Sequence, residues 1–461
     1  MAAFYIPPVQ RWVVKEISEY ASEQSGLDIT MEKATISFLL DLDLHNLNVS
    51  DHGKEVLNVD KAVVDLNLWR ILALKIGVEA VELQNGNVDT RDLIATLRLK
   101  GQLKDFNLRA DNVDLKHNNI ILNGANITGC DLDIALKDTT IIDTTESVVT
   151  WGFDIEKFAI KDSRILLHMP YDSMILQTGL KEALLEDGDI DLEKGIYRVK
   201  KLKIVADSLH YDLPYQPVLT EGFDPSHIAL YNFSTDLENA TFKQEENYLS
   251  VNLKQLQLKE RCGLNIDTLQ ANIIMDSTSL MVQGLKLATM HSRASGDADI
   301  HWNALSPQPS HPRRELSTAL RARIGHPDIL ALAGNYLPTD LKRVYPTQPL
   351  ELDFAAYGNI DSMNIADSRI TIPTVIDIRT NGNATNMTDS LRLSANMKWD
   401  IKTMNLNFVK QYLGLHDINL PPMTLHADTK LKDCKKLTAD ALLQEGKGNM
   451  HLKGNIDLNR M

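Results

Sequence analysis

Every second residue is apolar in one stretch after another of this chain. In Ile36, Phe38, Leu40, Leu42 and Leu44 the apolar positions alternate with Ser37, Asp41, Asp43 and His45, with Leu39 as the one exception. A strand sends successive side chains to opposite faces, so such a run builds a sheet with one apolar and one wet face. The pattern returns in Val64 and Leu66, in Leu97 and Leu99, and in Leu132 and Ile134. It recurs in Trp151, Phe153 and Ile155, in Val251 and Leu253, and in Leu391 and Leu393. These residues are the expected lining of an apolar groove. Asn85-Gly86, Asn123-Gly124, Asp187-Gly188 and Asn381-Gly382 read as turns between strands.

An open sheet this long cannot close into one compact core. About 25 strands at ~4.8 Å each would extend on the order of 100 Å. Open sheets of more than ~10 strands usually curl or split. The expected fold is mostly β: a long, curled, antiparallel-rich sheet with a greasy inside and a polar, acidic outside, plus an N-terminal helix and a few short helices.

Composition narrows the function. Lys and Arg number 48 and Asp and Glu 62, a net charge of −14. That argues against nucleic acid as a partner, because phosphate affinity needs clustered cations. Hydrophobic residues at 43% and charged residues at 24% fit a folded chain, and aromatics at 6% leave the core to Leu, Ile, Val and Ala. Cys130, Cys262 and Cys434 are too scattered for a disulfide framework or a zinc site, and they leave the compartment open.

No enzyme signature is present. There is no Walker A loop, Gly-x-Ser-x-Gly elbow, Cys-x-x-Cys or His-Glu-x-x-His, and the 13 histidines are dispersed. The acidic run Glu186-Asp187-Gly188-Asp189-Ile190-Asp191-Leu192-Glu193 imitates a calcium loop. Counted from Asp187, however, Leu192 stands where glycine is required and Arg198 where the loop needs glutamate. A solvated turn leading into a strand over Ile196–Val205 is the better account, and no metal, cofactor or catalytic residue is expected.

Residues 1–26 read as a helix, with Val9, Trp12, Val13, Ile17, Tyr20 and Ala21 at helical spacing and Gly26 as the stop. It is expected to pack on the end of the sheet. Ala2 to Ile6 followed by Pro7-Pro8 read like the exit from an apolar anchor cut away; a natural start is the alternative. No apolar run reaches the ~18 residues of a spanning helix. Residues 27–304 form the first β-rich segment, with a brief helical interruption near Leu68–Leu74. Residues 305–324 read as a Pro-rich connector, and 325–461 as helix-plus-strand repeats continuing the sheet. Within the last segment Pro327 to Tyr345 reads as a helical pair, with Thr339 capping the second helix. Helix, proline and strand occur twice, as Asp328–Leu337, Pro349 and Leu350–Ala356, then as Asn407–Leu413, Pro422 and Met423–Thr429. Leu352 matches Leu425 at an offset of 73 residues.

The opening resembles AsmA-like proteins, in particular the TamB family, a subunit of the translocation and assembly module. Three linked features carry the likeness: the helix ending in Ser25-Gly26-Leu27-Asp28-Ile29; the strand Ala34-Thr35-Ile36-Ser37-Phe38 running into Leu42-Asp43-Leu44-His45-Asn46-Leu47-Asn48-Val49; and Val56 to Lys61 followed by Val64-Asp65-Leu66, the Leu68–Leu74 turn and Ile76–Leu83. The likeness covers about the first hundred residues, and residues 325–460 are similar to later repeats. It implies a U-shaped β-groove (a bridge-like β-taco) in the periplasm, anchored in the inner membrane by a segment missing here and lacking the family's C-terminal domain. It further implies phospholipid acyl chains as cargo and an outer-membrane β-barrel partner of the TamA or BamA type, in outer-membrane biogenesis.

Two other functions remain open on the residues. One is an assembly factor that inserts or secretes barrel proteins by adding their strands to open edges. The other is a structural β-solenoid, although no short coil repeat is visible. Asp-Ser/Thr steps such as Asp172-Ser173, Asp276-Ser277, Asp361-Ser362 and Asp389-Ser390 resemble O-glycan acceptors, but Asp and Ser/Thr also cap turns.

Overall fold

A computed structural model describes residues 26–36, 41–66, 78–91, 93, 97–114, 119–136, 152–169, 173–191, 194–306, 314–389, 391–415 and 417–457, with seven positions between Trp12 and Glu23. Those seven are helical. Gly26 ends the turn at φ +71°, and its N–H donates to the Ser22 carbonyl at 2.9 Å. The described residues otherwise form 24 strands and four short helices, the mostly β fold expected from the alternation. They divide into two compact units. One holds Met1–Val218, Pro225–Glu245 and Leu258–Glu260; the other holds Leu219–Asp224, Glu246–Gln257 and Arg261–Met461.

The first unit begins with β1 (Asp28–Thr30) and β2 (Lys33–Ile36), both paired to β3 (Asp41–Asp51). Antiparallel pairing continues through β4 (Lys54–Leu66), β5 (Val78–Asp89) and β6 (Leu97–Asp114). Then β7 (Asn119–Thr128) and β8 (Asp131–Leu136) act as one interrupted strand, antiparallel to β6 and parallel to β9 (Gly152–Met169). Antiparallel order resumes with β10 (Met174–Asp191), β11 (Ile196–Asp212) and β12 (His227–Lys243).

After β13 (Tyr248–Glu260), the second unit is an antiparallel meander. It runs through β14 (Asn265–Met275), β15 (Ser279–Thr289), β16 (Arg293–His301), β17 (Leu316–Ile324), β18 (Leu350–Asn359) and β19 (Ser362–Ile372). It ends with β20 (Ile376–Thr385), β21 (Ser394–Thr403), β22 (Met423–Lys432), β23 (Lys436–Glu445) and β24 (Gly448–Asp457).

Part of the stretch read as a connector is strand. In β17 Leu316, Leu320, Ala322 and Ile324 alternate with exposed residues and pair with β16 and β18; residues 307–313 lie outside the described residues, as does Leu68–Leu74. The helical pair is present as His326–Ala333 and Thr339–Val344. Thr339 does not cap. It is the first helical residue, and the carbonyl of Pro338 accepts the Lys342 N–H at 3.0 Å. Buried Asp328 ties the first helix to the β15–β16 turn by accepting the hydroxyls of Thr289 and Ser292. Thr339–Val344 packs against the helix Asn407–Tyr412 on the same edge of the meander.

The polar face is laced with ion pairs. Arg98 grips Asp89 through Nε and Nη2 at 2.9 and 2.8 Å, and Arg369 grips Asp377 at 2.8 and 2.7 Å. The hydrogen bonds from these guanidiniums hold both carboxyls below the usual aspartate range. A folded-state pKa below the unfolded ~3.9 means each pair stabilises above about pH 4, and the contribution is lost as pH falls through the folded value. The urea midpoint should therefore drop between pH 5 and 3, and the Arg98→Gln/Arg369→Gln variant should show a shallower drop. Equal slopes would mean the two carboxylates are not linked to folding.

Candidate functional site

Residues directly opposite each other in a ladder share one face of the sheet, so the register shows which side chains form continuous rows. In the first unit one row crosses nine strands. It begins Leu42, Val64, Val81 and Leu108, passes through Ala125 and Phe158, and ends Leu185, Leu202 and Leu237. Beside it runs Leu44, Ala62, Leu83, Phe106, Ile127, Ile160, Ala183 and Ile204, closing on Thr235. No charged residue interrupts either row.

The second unit repeats this over eleven strands. Leu269, Leu287, Ala294, Ala322 and Leu352 lead to Ile370, Ile378 and Ile401, then to Leu425, Leu443 and Met450. Leu352 and Leu425, the matched positions of the sequence repeat, both lie in this row. At ~4.8 Å per strand the rows extend roughly 40 and 50 Å. Their side chains are mostly half-buried; in β17 half-buried and exposed residues alternate without a break after Leu316. Ile370 keeps 38% of its surface and Met450 48%. A continuous apolar surface of this reach is uncommon on a soluble monomer and marks a binding surface.

Keeping the apolar residues on one face requires a phase change inside the strands. In β3 they fall at 42 and 44, then at 47 and 49; in β4 at 57 and 59, then at 62 and 64. Between the two phases the ladder skips one pair, Asn46 opposite Asp60. The skipped positions line up across the first unit as Asn46, Asp60, Asn85, Lys104 and Gly129, then Asp162, Lys181, Asp207 and Asn232. Asn46, Asn85, Gly129, Asp162 and Asn232 have φ between +47° and +67°, a left-handed conformation that Gly, Asn and Asp accept most readily. A second line passes through Glu156, Asp187, Lys200 and Asn239.

Packing shows that both phases share one face. Buried Leu42, Leu44, Val59 and Ala62 form a cluster with Ala34, against which Leu47, Leu57, Val64 and Leu83 pack. A Cβ on Gly188 would meet Leu185 at 2.8 Å and Ile155 at 3.6 Å, from opposite sides of the second line. Asn85-Gly86, Asn123-Gly124, Asp187-Gly188 and Asn381-Gly382 are thus not turns; each lies inside a strand, within β5, β7, β10 and β20.

The chain matches no protein-family model, no curated protein and no solved structure. The register is therefore the basis for judging the expected lining. Leu42 and Leu44 are buried in the cluster, and Val64 lies in the first row. Leu99 and Ile134 are opposite one another, continuing to Leu167, Leu176 and Tyr211; Leu132 leads to Ile165. Phe153 is opposite Ile190, which faces Tyr197, and the Tyr197 ring stacks on Phe242 at 5.9 Å. Ile155 faces Gly188. On β13 Val251 is half-buried and Leu253 buried. Ile36, Leu66 and Leu97 are on β2, β4 and β6, with side chains outside the described residues, where Phe38, Leu40 and Trp151 also fall.

Leu391 and Leu393 are not on a strand. They occupy the turn before β21, where Asp389 accepts the Leu391 N–H with its carboxylate and the Leu393 N–H with its carbonyl, and Leu391 is 70% exposed. Three residues of alternation are too few to outweigh that turn chemistry. Asp276 caps in the same way, accepting Thr278 N–H at 2.7 Å and Ser279 N–H at 2.8 Å. The described part of the acidic run, Glu186 to Asp191, is the end of β10 and not a solvated turn. Its carboxylates face cations: Glu186 with Lys201, Asp187 with Lys200, Asp189 with Arg198 and Asp191 with Lys194.

Proposed function

We propose that this chain is a stretch of a bridge-like conduit of the AsmA-like, TamB type, carrying phospholipid between the inner and outer membranes through the periplasm with a β-barrel partner. The supporting observation is the set of transverse apolar rows, two in the first unit and one in the second. Their direction matters, because an acyl chain moving across the strands of either unit meets an apolar path and stays out of water along it. The headgroup can stay hydrated beside that path. A U-shaped groove curling around the rows would shelter the acyl chains. We assign the chain no catalytic step, since its work is to lower the cost of moving an apolar tail through water.

The test is transfer of fluorescent phospholipid between donor and acceptor vesicles, joined with mass spectrometry of lipid extracted from the purified chain. Copurified phospholipid and transfer above the protein-free rate are expected. A chain that carries no lipid and accelerates nothing refutes the conduit. Capture of unfolded barrel protein in place of lipid would favour an assembly factor.

A further inference from the structure

We infer that the polar face of β15–β19 carries a binding site for a phosphate-bearing anion, an inference independent of the conduit reading. A cavity of about 650 Å³ opens there. Four strands send cations into it: Lys286 from β15, Arg293 from β16, Arg321 and Arg323 from β17, and Arg369 from β19. Glu351 and Asp353 of β18 oppose them within the lining, and Arg369 is already held by Asp377. In a chain of net charge −14 this is a local reversal of sign.

The register sharpens the point. Arg293 stands directly opposite Arg323, and like charges directly opposite each other destabilise a sheet. Like charges also face each other at Asp154 and Asp189 and at Arg369 and Arg379, while opposite charges face each other at Asp131 and Arg164, 3.3 Å apart, and at Asp189 and Arg198, 2.6 Å apart. Arg321 pairs with Asp353 at 3.1 Å and Arg323 with Glu351 at 3.5 Å. Among the described residues the side chains of Lys286 and Arg293 make no ion pair or hydrogen bond. An anion between Arg293 and Arg323 would remove their repulsion.

Phosphate suits this geometry, because guanidinium forks bind its oxygens two at a time. The Arg321–Asp353 and Arg323–Glu351 pairs are exposed and therefore weak, so a doubly charged phosphate can compete for their guanidiniums. The cavity is larger than a bare phosphate and is lined partly by arginine stems and threonine methyls, Thr268 and Thr371 among them. The ligand is thus a phosphate carrying an organic group, either a soluble phosphorylated compound or the headgroup of an anionic phospholipid.

The experiment titrates the full chain with pyrophosphate by calorimetry at low salt. Parallel flotation assays use phosphatidylcholine vesicles with and without phosphatidic acid. One pyrophosphate site weakened by salt is expected. Arg293→Gln/Arg323→Gln should weaken it about a hundredfold, the two lost charge-assisted contacts contributing about one decade each. Glu351→Gln should tighten it, and circular dichroism should show all variants folded, since these side chains are exposed. Pyrophosphate binding without vesicle binding assigns a soluble ligand; flotation only with phosphatidic acid, lost in the double variant, assigns a headgroup. Binding of neither probe, or binding that the double variant leaves intact, overturns the proposal.

Discussion

Ile401→Asp should strip phospholipid from the purified chain, with copurified lipid per mole falling several-fold, while Lys402→Gln leaves it unchanged. Ile401 sits mid-row, directly between Ile378 on β20 and Leu425 on β22, and is half-buried; Lys402 is its exposed neighbour on the other face. A carboxylate among acyl chains costs at least several kcal/mol or takes up a proton, and cargo crossing the strands must pass it. Leu352→Asp, in the same row, should act alike. The measurement is phosphate analysis of extracted lipid, with circular dichroism to show that the sheet is retained. Equal loss in Ile401→Asp and Lys402→Gln, or loss in neither, would mean that the rows do not carry lipid.

The second large effect is on folding. Val59 has no exposed surface and lies at the centre of the cluster formed by Ala34, Leu42, Leu44 and Ala62. Val59→Ala should cost about 2 kcal/mol through the cavity it leaves. Val59→Asp should cost roughly 4 kcal/mol or more, because the new charge would be buried in an apolar cluster. Hydrogen exchange of β3 and β4 should rise sharply in Val59→Asp and modestly in Val59→Ala. Unchanged protection in both would mean the cluster does not hold these strands. The same enclosure makes Leu42 a poor probe of lipid passage, since a charge there would disrupt packing before any cargo reached it.

The sequence by itself determined that the chain is mostly strand with one apolar face, because the period of two is a local property of each segment. The stop at Gly26, the two helices between Pro327 and Tyr345, and the equivalence of Leu352 with Leu425 were legible for the same reason, since each depends on neighbours within a few residues or on direct repetition. The candidate site was legible only in part. Leu42, Val64, Leu132 and Ile155 announced themselves by strict alternation. Leu83, Phe158 and Leu185 did not, because their strands change phase at an Asn, Asp or Lys, which breaks the pattern a strict period detects.

Only the tertiary structure decided what the Asn-Gly and Asp-Gly steps do. A hairpin turn and an in-strand kink such as those at Asn85 and Asp187 both use positive φ, so the local chemistry is the same, and only the neighbouring strand shows whether pairing continues past the step. The parallel pairing of β9 with β7 and β8, and the opposition of Arg293 to Arg323, were decided there too. Pairing register is a contact between residues distant in the chain, and alternation within a single strand contains no term for the partner it will meet.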